Sequence, residues 1–99
     1  MIGMLRGHVE SVDAVSAIIE VGGVGYEVRM PSADLASMHA GQEIKVYTSL
    51  NVSQDAITLF GFGTLASKRM FLQLQKVSGF GPKVALSLLS TLPPDRLSR

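Results

Sequence analysis

The chain has 99 residues, of which 46% are hydrophobic and 17% are charged, and its formal net charge at pH 7 is +1. This size supports one main hydrophobic core with a small satellite, and it is short for two independent domains. Because the sequence has no cysteine, disulfides, thiolate metal sites and cysteine nucleophiles are excluded, and an intracellular setting is favoured. No apolar run approaches the roughly 20 residues that span a bilayer, so no membrane partner is expected.

Charge is distributed unevenly along the chain. Residues 1–62 contain three Lys or Arg against seven Asp or Glu, whereas residues 63–99 contain six against one. A polyanion would be repelled by the acidic residues 1–62, which we call the acidic front, and attracted by the basic residues 63–99, at different points of one surface. Chance in a short sequence is the alternative explanation.

The first sixty residues alternate apolar and polar side chains with the period of two that is typical of β-strands. Runs over 15–21 and 24–30 flank Gly22-Gly23, and two glycines supply the positive φ that both central positions of a tight hairpin turn need. Further strands are predicted over 2–9, 44–50 and 57–60.

A short helix is predicted over residues 31–38, between the third and fourth strands. Pro31 suits a first helical turn and Gly41 suits a stop. Five strands with a helix at this point match the order of an oligonucleotide/oligosaccharide-binding (OB) barrel, which closes a sheet that is too small to be stable when open. The fold by itself implies no function.

The period changes from two to helical after Gly61-Phe62-Gly63. Thr64 is a candidate helix cap, and a helix is predicted over 65–77, with apolar residues at steps of three and four. A second helix is predicted to begin near Pro82. The turn between the helices contains Gly79-Phe80-Gly81, and we expect Phe80 to be buried between them.

The start of the second helix has the features of a phosphate site. Pro82 fits the first helical position, where its missing N–H costs nothing, so the remaining free N–H groups and the positive helix end are available to an anion. Lys83 adds a full charge, and Ala85 is small enough for the two helices to approach closely. A plain helical hairpin, with glycines only for its turn, is the alternative.

The pattern over residues 74–88 resembles the helix-hairpin-helix of many DNA repair and recombination proteins. Such hairpins hold the DNA backbone without reading its sequence. The predicted fold is therefore a β-barrel plus α: a five-stranded OB-fold barrel domain over residues 1–62, followed by a first helix-hairpin-helix over residues 63–99 that forms an incomplete second domain.

Four segments extend the resemblance over essentially the whole chain. They are Met1-Ile2-Gly3-x-Leu5-Arg6-Gly7, Gly22-Gly23-Val24-Gly25-Tyr26-Glu27-Val28, Leu59-Phe60-Gly61-Phe62 and Ser78-Gly79-Phe80-Gly81-Pro82-Lys83-Val84-Ala85-Leu86. In order and spacing they resemble the bacterial RuvA family.

The RuvA resemblance implies a non-catalytic, cytoplasmic DNA-binding subunit. A homotetramer of the family holds the four-way (Holliday) junction open and flat while the RuvB ATPase drives branch migration, and the RuvC resolvase is a further partner of the full-length family. By this resemblance, phosphate is bound by Ser78, Gly79, Gly81 and Lys83.

The RuvA family also carries an acidic pin, which consists of two adjacent carboxylates in the loop before the fifth strand. The pin lies near the junction centre and repels strands that would otherwise re-pair. The matching positions are Gln54 and Asp55, so only Asp55 retains a charge. An ordinary turn aspartate is the alternative interpretation of Asp55.

The RuvA family continues with a second helix-hairpin-helix and a mobile domain that binds RuvB. Residues 93–99 look like the start of the next helix with no helix after it, so we interpret the chain as a truncated fragment. Such a fragment should not recruit RuvB, and its junction affinity should be reduced, most of all at physiological salt.

No catalytic, cofactor or metal site is expected. His8 and His39 lack partners at metal-ligand spacing, and Gly22-Gly23-Val24-Gly25 precedes a strand rather than the helix that a dinucleotide site needs. Two other functions remain open. One is a DNA glycosylase or nuclease whose catalytic residues lie elsewhere; the other is an oligomerisation core that binds no DNA.

Overall fold

A computed structural model describes residues 1–91 of the chain. Within that part, the elements follow the order β1 (Met4–Val12), β2 (Ser16–Val21), β3 (Val24–Arg29), α1 (Ser32–Ala36), β4 (Glu43–Val52), β5 (Ile57–Phe62), α2 (Leu65–Ser78) and α3 (Pro82–Thr91). The strands close into a barrel in the order β1-β2-β3-β5-β4. This arrangement confirms the predicted five-stranded OB barrel followed by helices. No helix among these residues is long and apolar enough to cross a membrane.

The barrel closes through one parallel pairing. Strands β3 and β5 pair through Val28 with Leu59 and Arg29 with Phe60, whereas the other neighbouring strands are antiparallel. We call these two residue pairs the closing seam. Because this pairing joins β3 to β5, every strand among residues 1–91 has a neighbour on both sides, at least over part of its length.

The predicted turn between β2 and β3 is confirmed. Val21 pairs with Val24, and the two glycines between them have φ values of 58° and 89°. Both values lie in the left-handed region that L side chains rarely adopt. Gly22 and Gly23 therefore supply the backbone conformation that a two-residue hairpin turn requires.

The first strand lies further along the chain than predicted. Strand β1 covers Met4–Val12 rather than residues 2–9, and its register against β2 shifts between Val9 and Ser11. A shift of this kind is a β-bulge, in which one extra residue displaces the inward and outward alternation. The alternation of apolar and polar residues is therefore interrupted between Val9 and Ser11, although the strand continues to Val12.

Helix α1 is shorter than predicted. Pro31 occupies the position before the helix, with φ −59° and ψ 149°, so it precedes the first turn instead of lying within it. The helix ends at Ala36, and Gly41 has a φ of 89° in the following turn. Leu35 and Met38 are buried in the barrel core, so this segment closes one part of the barrel interior.

The structure has two apolar clusters, and β5 contributes to both. The barrel interior is filled by Leu5, Val9, Ala17, Ile19, Val28, Met30, Leu35, Met38, Val46 and Leu59. The second cluster lies between β5 and the helices and contains Phe60, Phe62, Phe71, Ala85 and Leu89. Because successive strand residues face opposite sides, Leu59 lies in the barrel while its neighbour Phe60 contacts the helices.

Helices α2 and α3 are held to the barrel by aromatic contacts and by polar ties. The ring of Phe71 lies 5.2 Å from that of Phe60 and 4.8 Å from that of Phe62, measured between centroids. In addition, the N–H of Ser32 donates to the hydroxyl of Ser90 at 3.1 Å. The aromatic contacts join β5 to α2, and the hydrogen bond joins α1 to α3, so together they hold the helical hairpin against the barrel.

The predicted bounds of α2 and the predicted start of α3 are confirmed to within one residue, but the prediction that Phe80 is buried between these helices is wrong. Thr64 caps α2 by accepting the N–H of Ser67 at 3.1 Å, and α3 begins at Pro82. Phe80 is instead 41% exposed. Val77 and Val84, which flank the turn, are exposed as well.

Candidate nucleic-acid interface

The tip of the helical hairpin is formed by a sharp backbone turn at Gly79. This residue ends α2 in the left-handed conformation, with φ 72° and ψ 11°, and its N–H donates to the carbonyl of Gln75 at 3.1 Å. An αL glycine directly after the last helical residue is a common way to end a helix. The chain therefore reverses within three residues, 79–81.

The N-terminus of α3 presents donors to solvent. The N–H of Ala85 donates to the carbonyl of Gly81 at 3.1 Å, which is the first hydrogen bond of the helix. The N–H groups of Lys83 and Val84 lie ahead of it, where a helix has no carbonyl to offer them. Lys83 is exposed, so its ammonium charge adds to the positive end of the helix dipole.

The loop between β4 and β5 carries the predicted pin. Its closure depends on Ser53, whose N–H donates to the carbonyl of Ala56 at 2.8 Å and whose hydroxyl accepts the N–H of Ala56 at 3.2 Å. Gln54 and Asp55 lie between these residues, and both are exposed. The loop thus holds the Asp55 carboxylate in solvent at the end of the barrel.

A cleft of about 500 Å³ separates this loop from the hairpin tip. We call it the joint cleft. It is lined by Arg29, Asn51, Ser53, Asp55, Ala56, Thr58, Phe60, Gly81, Pro82, Lys83 and Val84. The structure therefore brings Gly81, Lys83 and Asp55 together. Ser78, Gly79 and Gln54, which the sequence also indicated, are not among its lining residues.

The joint cleft contains both signs of charge. Arg29 and Lys83 contribute a cation from β3 and one from α3, and Asp55 contributes a carboxylate from the β4–β5 loop. Among residues 1–91, no carboxylate lies within the 4.0 Å salt-bridge distance of either cation. The cleft thus attracts an anion at its hairpin side and repels one at the Asp55 loop.

Part of the acidic front of the sequence lies in a separate depression. This depression is lined by His8, Val9, Glu10, Glu20, Gly25 and Gly41, none of which lines the joint cleft. The imidazole of His8 lies 3.9 Å from the carboxylate of Glu20 and 3.9 Å from that of Glu43. Within residues 1–91, no cluster of three or more His, Asp or Glu side chains is placed to hold a metal ion.

Sequence reasoning missed the contribution of the barrel to the joint cleft, and Arg29 is the main omission. It is the last residue of β3 and is exposed, and it is separated from Pro31 and α1 by Met30 alone. One signal was available, because only three cations occur in residues 1–62 and Arg29 is one of them. Its position beside Lys83 depends on the folding of α3 against α1 and β5.

The family comparison decides where this chain belongs. The model of the RuvA N-terminal domain family matches residues 1–61, which is more than half of the sequence. The chain belongs to the RuvA N-terminal domain family. The resemblance predicted from the four sequence segments is confirmed.

Individual relatives are similar to the chain beyond residues 1–61, which the family model matches. The Holliday junction branch migration complex subunit RuvA of Bifidobacterium adolescentis is 98% identical over all 99 residues, which cover 48% of that protein. The proteins of the same name from Bifidobacterium longum subsp. infantis and Rhodococcus erythropolis are 63% and 41% identical over 99 residues, which cover 48% and 50% of their lengths. The chain spans about half the length of the curated relatives it matches.

Proposed function

We propose that this chain binds four-way DNA junctions by their structure rather than their sequence, as a non-catalytic subunit of a branch-migration complex. One observation carries the proposal: Gly81, Lys83 and Asp55 line a single cleft between the hairpin and the barrel. The relatives that share the chain's sequence are named as RuvA subunits of such a complex.

The chemistry of the hairpin tip favours contact with the DNA backbone. Free main-chain N–H groups at a helix N-terminus and the Lys83 ammonium both suit phosphate oxygens. A phosphate looks the same at every base pair, so such contacts position the protein without reading sequence. In this proposal Ser78, Gly79, Gly81 and Lys83 bind phosphate.

The carboxylate of Asp55 acts as the acidic pin in this proposal. It is exposed at the tip of its loop, and the same cleft holds Lys83. A strand held by Lys83 would therefore meet negative charge at the loop, which favours separation of strands at a crossover. Gln54, the other pin position, contributes no charge.

The wider assembly belongs to the same proposal. We place the chain in a homotetramer around the junction, in the bacterial cytoplasm, with the RuvB ATPase and RuvC resolvase as partners of the full-length protein. Residues 1–62 act as the barrel domain, and residues 63–99 begin a helix-hairpin-helix domain. The proposed start of a further helix over 93–99 lies outside the described residues.

The test is a fluorescence anisotropy titration of the chain on a four-way junction and on linear duplex of equal length. We expect tighter binding to the junction and a steep loss of both affinities as salt increases, because phosphate contacts release counterions. Lys83→Gln should weaken binding to both DNAs, whereas Asp55→Asn should mainly reduce the preference for the junction. Equal affinity for the two DNAs would contradict the proposal.

A second candidate function is an assembly core that binds no DNA. It is favoured by the large apolar side chains that remain exposed, including Met4, Val24, Ile57, Leu65 and Leu72. Because both functions include self-association, sedimentation of the chain without DNA has to be combined with the junction titration to discriminate them. Association without any salt-sensitive binding to the junction would support the assembly core and would remove the DNA-binding proposal for this chain.

A further inference from the structure

A smaller cleft lies beside the joint cleft and shares two of its residues. This side cleft has a volume of about 210 Å³ and is lined by Ala14, Val15, Arg29, Met30, Ser32, Lys83, Leu86, Ser87 and Ser90. Arg29 and Lys83 line both clefts, so they form the boundary between them. The two cations come from different parts of the fold, the end of β3 and the start of α3.

The composition of the side cleft fits an anion better than the joint cleft does. It is lined by two cations and three serine residues, and no Asp or Glu of residues 1–91 is among its lining residues. The Asp13 carboxylate lies outside this lining but attracts Arg29, since Arg29 contributes, after the N–H groups of Val15 and Ser16, to the lowered pKa of Asp13. The hydroxyl of Ser90 already donates to the carbonyl of Leu86 at 3.1 Å and accepts the N–H of Ser32. Ser87 is exposed on α3, where its hydroxyl is accessible to a ligand.

The backbone around the side cleft is held in place. Ser32 and Ser90 tie α1 to α3 at 3.1 Å, and the N–H of Gly63 donates to the carboxylate of Asp34 at 3.2 Å. Arg29 pairs with Phe60 in the closing seam, and the ring of Phe60 lies 5.2 Å from that of Phe71. The two cations are therefore attached to elements that cannot separate without breaking the second apolar cluster.

We infer that the side cleft is a second phosphate subsite, in which Arg29 and Lys83 bind a backbone phosphodiester of the same strand that the hairpin holds. The inference rests on the proposed function, since it names a further contact within the DNA interface. Arg29 is the barrel's own contribution to backbone binding. Its planar guanidinium suits phosphate oxygens, which it can contact through two N–H groups at once.

Three charge-removing variants test the role of Arg29: Arg29→Gln, Lys83→Gln and Arg6→Gln. Arg6 is the matched control, since it is an exposed strand arginine that lines neither cleft. Junction affinity is measured from about 50 to about 200 mM salt, where each lost phosphate contact reduces the slope of log K against log salt by about 0.9. Arg29→Gln and Lys83→Gln should each reduce the slope by this amount and weaken binding roughly tenfold at the lower salt.

The control outcomes separate this inference from the proposed function. Arg6→Gln should leave the slope unchanged, and Arg29→Lys should retain it because the charge remains. If Arg29→Gln behaves like Arg6→Gln while Lys83→Gln weakens binding, the inference is overturned and the proposed function stands. If the unmodified chain shows no preference for the junction, both are overturned. Melting temperatures from circular dichroism check that each variant is folded.

Ser87 offers a second test that concerns the side cleft itself. Ser87→Asp places a carboxylate in the cleft, and Ser87→Asn places a neutral group of nearly the same size there. We expect the Asp variant to weaken junction binding at least as much as Arg29→Gln, and the Asn variant to bind almost as the unmodified chain does. Equal binding by the two variants would show that no phosphate occupies the side cleft.

Discussion

Replacing Phe71 by alanine tests whether one side chain holds the helical hairpin to the barrel. Phe71 is 1% exposed, and its ring contacts those of Phe60 and Phe62. Removing a buried phenylalanine ring costs about 3–5 kcal/mol, because apolar burial is lost and a cavity remains. Since a domain of this size has an unfolding free energy of about 5–15 kcal/mol, Phe71→Ala should remove roughly a fifth of it or more.

Urea unfolding provides the assay, with Phe80→Ala as the matched control. Phe80 is 41% exposed, so the same chemical change should alter the unfolding free energy far less. The free energy of unfolding falls by about 1–3 kcal/mol for each molar of urea, so Phe71→Ala should lower the urea concentration at the unfolding midpoint by roughly 2 M.

Two spectroscopic signals show which part of the molecule is destabilised. Both tyrosines of the chain, Tyr26 and Tyr47, lie in barrel strands, whereas circular dichroism at the helical minimum reports mainly on α2 and α3. In Phe71→Ala the helical signal should be lost at lower urea than the tyrosine signal. Equal midpoint shifts for Phe71→Ala and Phe80→Ala would refute the assignment of Phe71 as the main link between the two parts.

Three further predictions concern a helix cap, a turn and a pH dependence. Thr64→Ala removes the acceptor that caps α2 and should cost about 1 kcal/mol in urea unfolding, whereas Thr64→Ser should be nearly neutral; equal losses would contradict the cap. Gly79→Ala should cost about 1–2 kcal/mol through its φ of 72° alone, since a Cβ there meets open space; an unchanged midpoint would contradict this. The N–H groups of Val15 and Ser16 lower the pKa of Asp13 below its ordinary value of 3.8. Stability from Asp13 is therefore present above pH 3.8 and lost as the pH falls through the lowered pKa, so unfolding of Asp13→Asn should depend less on acid; an identical acid dependence would contradict this.

The barrel could be predicted from the sequence where each strand has one inner and one outer face. The alternation over 24–30 and 44–50 is of this kind, and both runs are strands in the structure. The sequence predicts a strand over 57–60, whereas β5 continues to Phe62. Gly61 lies within the strand, against the side chain of Val28, where a Cβ would collide. Glycine is required at this position because the side chain of Val28 packs against it, and such packing cannot be inferred from the alternation of polar and apolar residues.

The candidate site could be predicted only where its residues are neighbours in the chain. The turn at Gly79 and the start of α3 at Pro82 follow from local conformational preferences, and both are found. The two clefts depend on the folding of α3 against α1 and β5, so no local pattern indicated that Arg29 lies beside Lys83. The phosphate-binding role of the hairpin and the pin role of Asp55 remain predictions, since both concern contacts with a DNA partner.

The closing seam makes assembly of the two clefts, the proposed DNA interface, a late event in folding. Its pairs join residues that are 31 apart in sequence, Val28 with Leu59 and Arg29 with Phe60. Contacts at such separation form after the local hairpins, because the intervening loop must first be closed. The hairpin in turn packs on Phe60, which reaches its position only when β5 completes the ring. A partly folded molecule therefore lacks the juxtaposed Arg29 and Lys83, so the proposed binding of the DNA backbone would be confined to chains whose barrel is already complete.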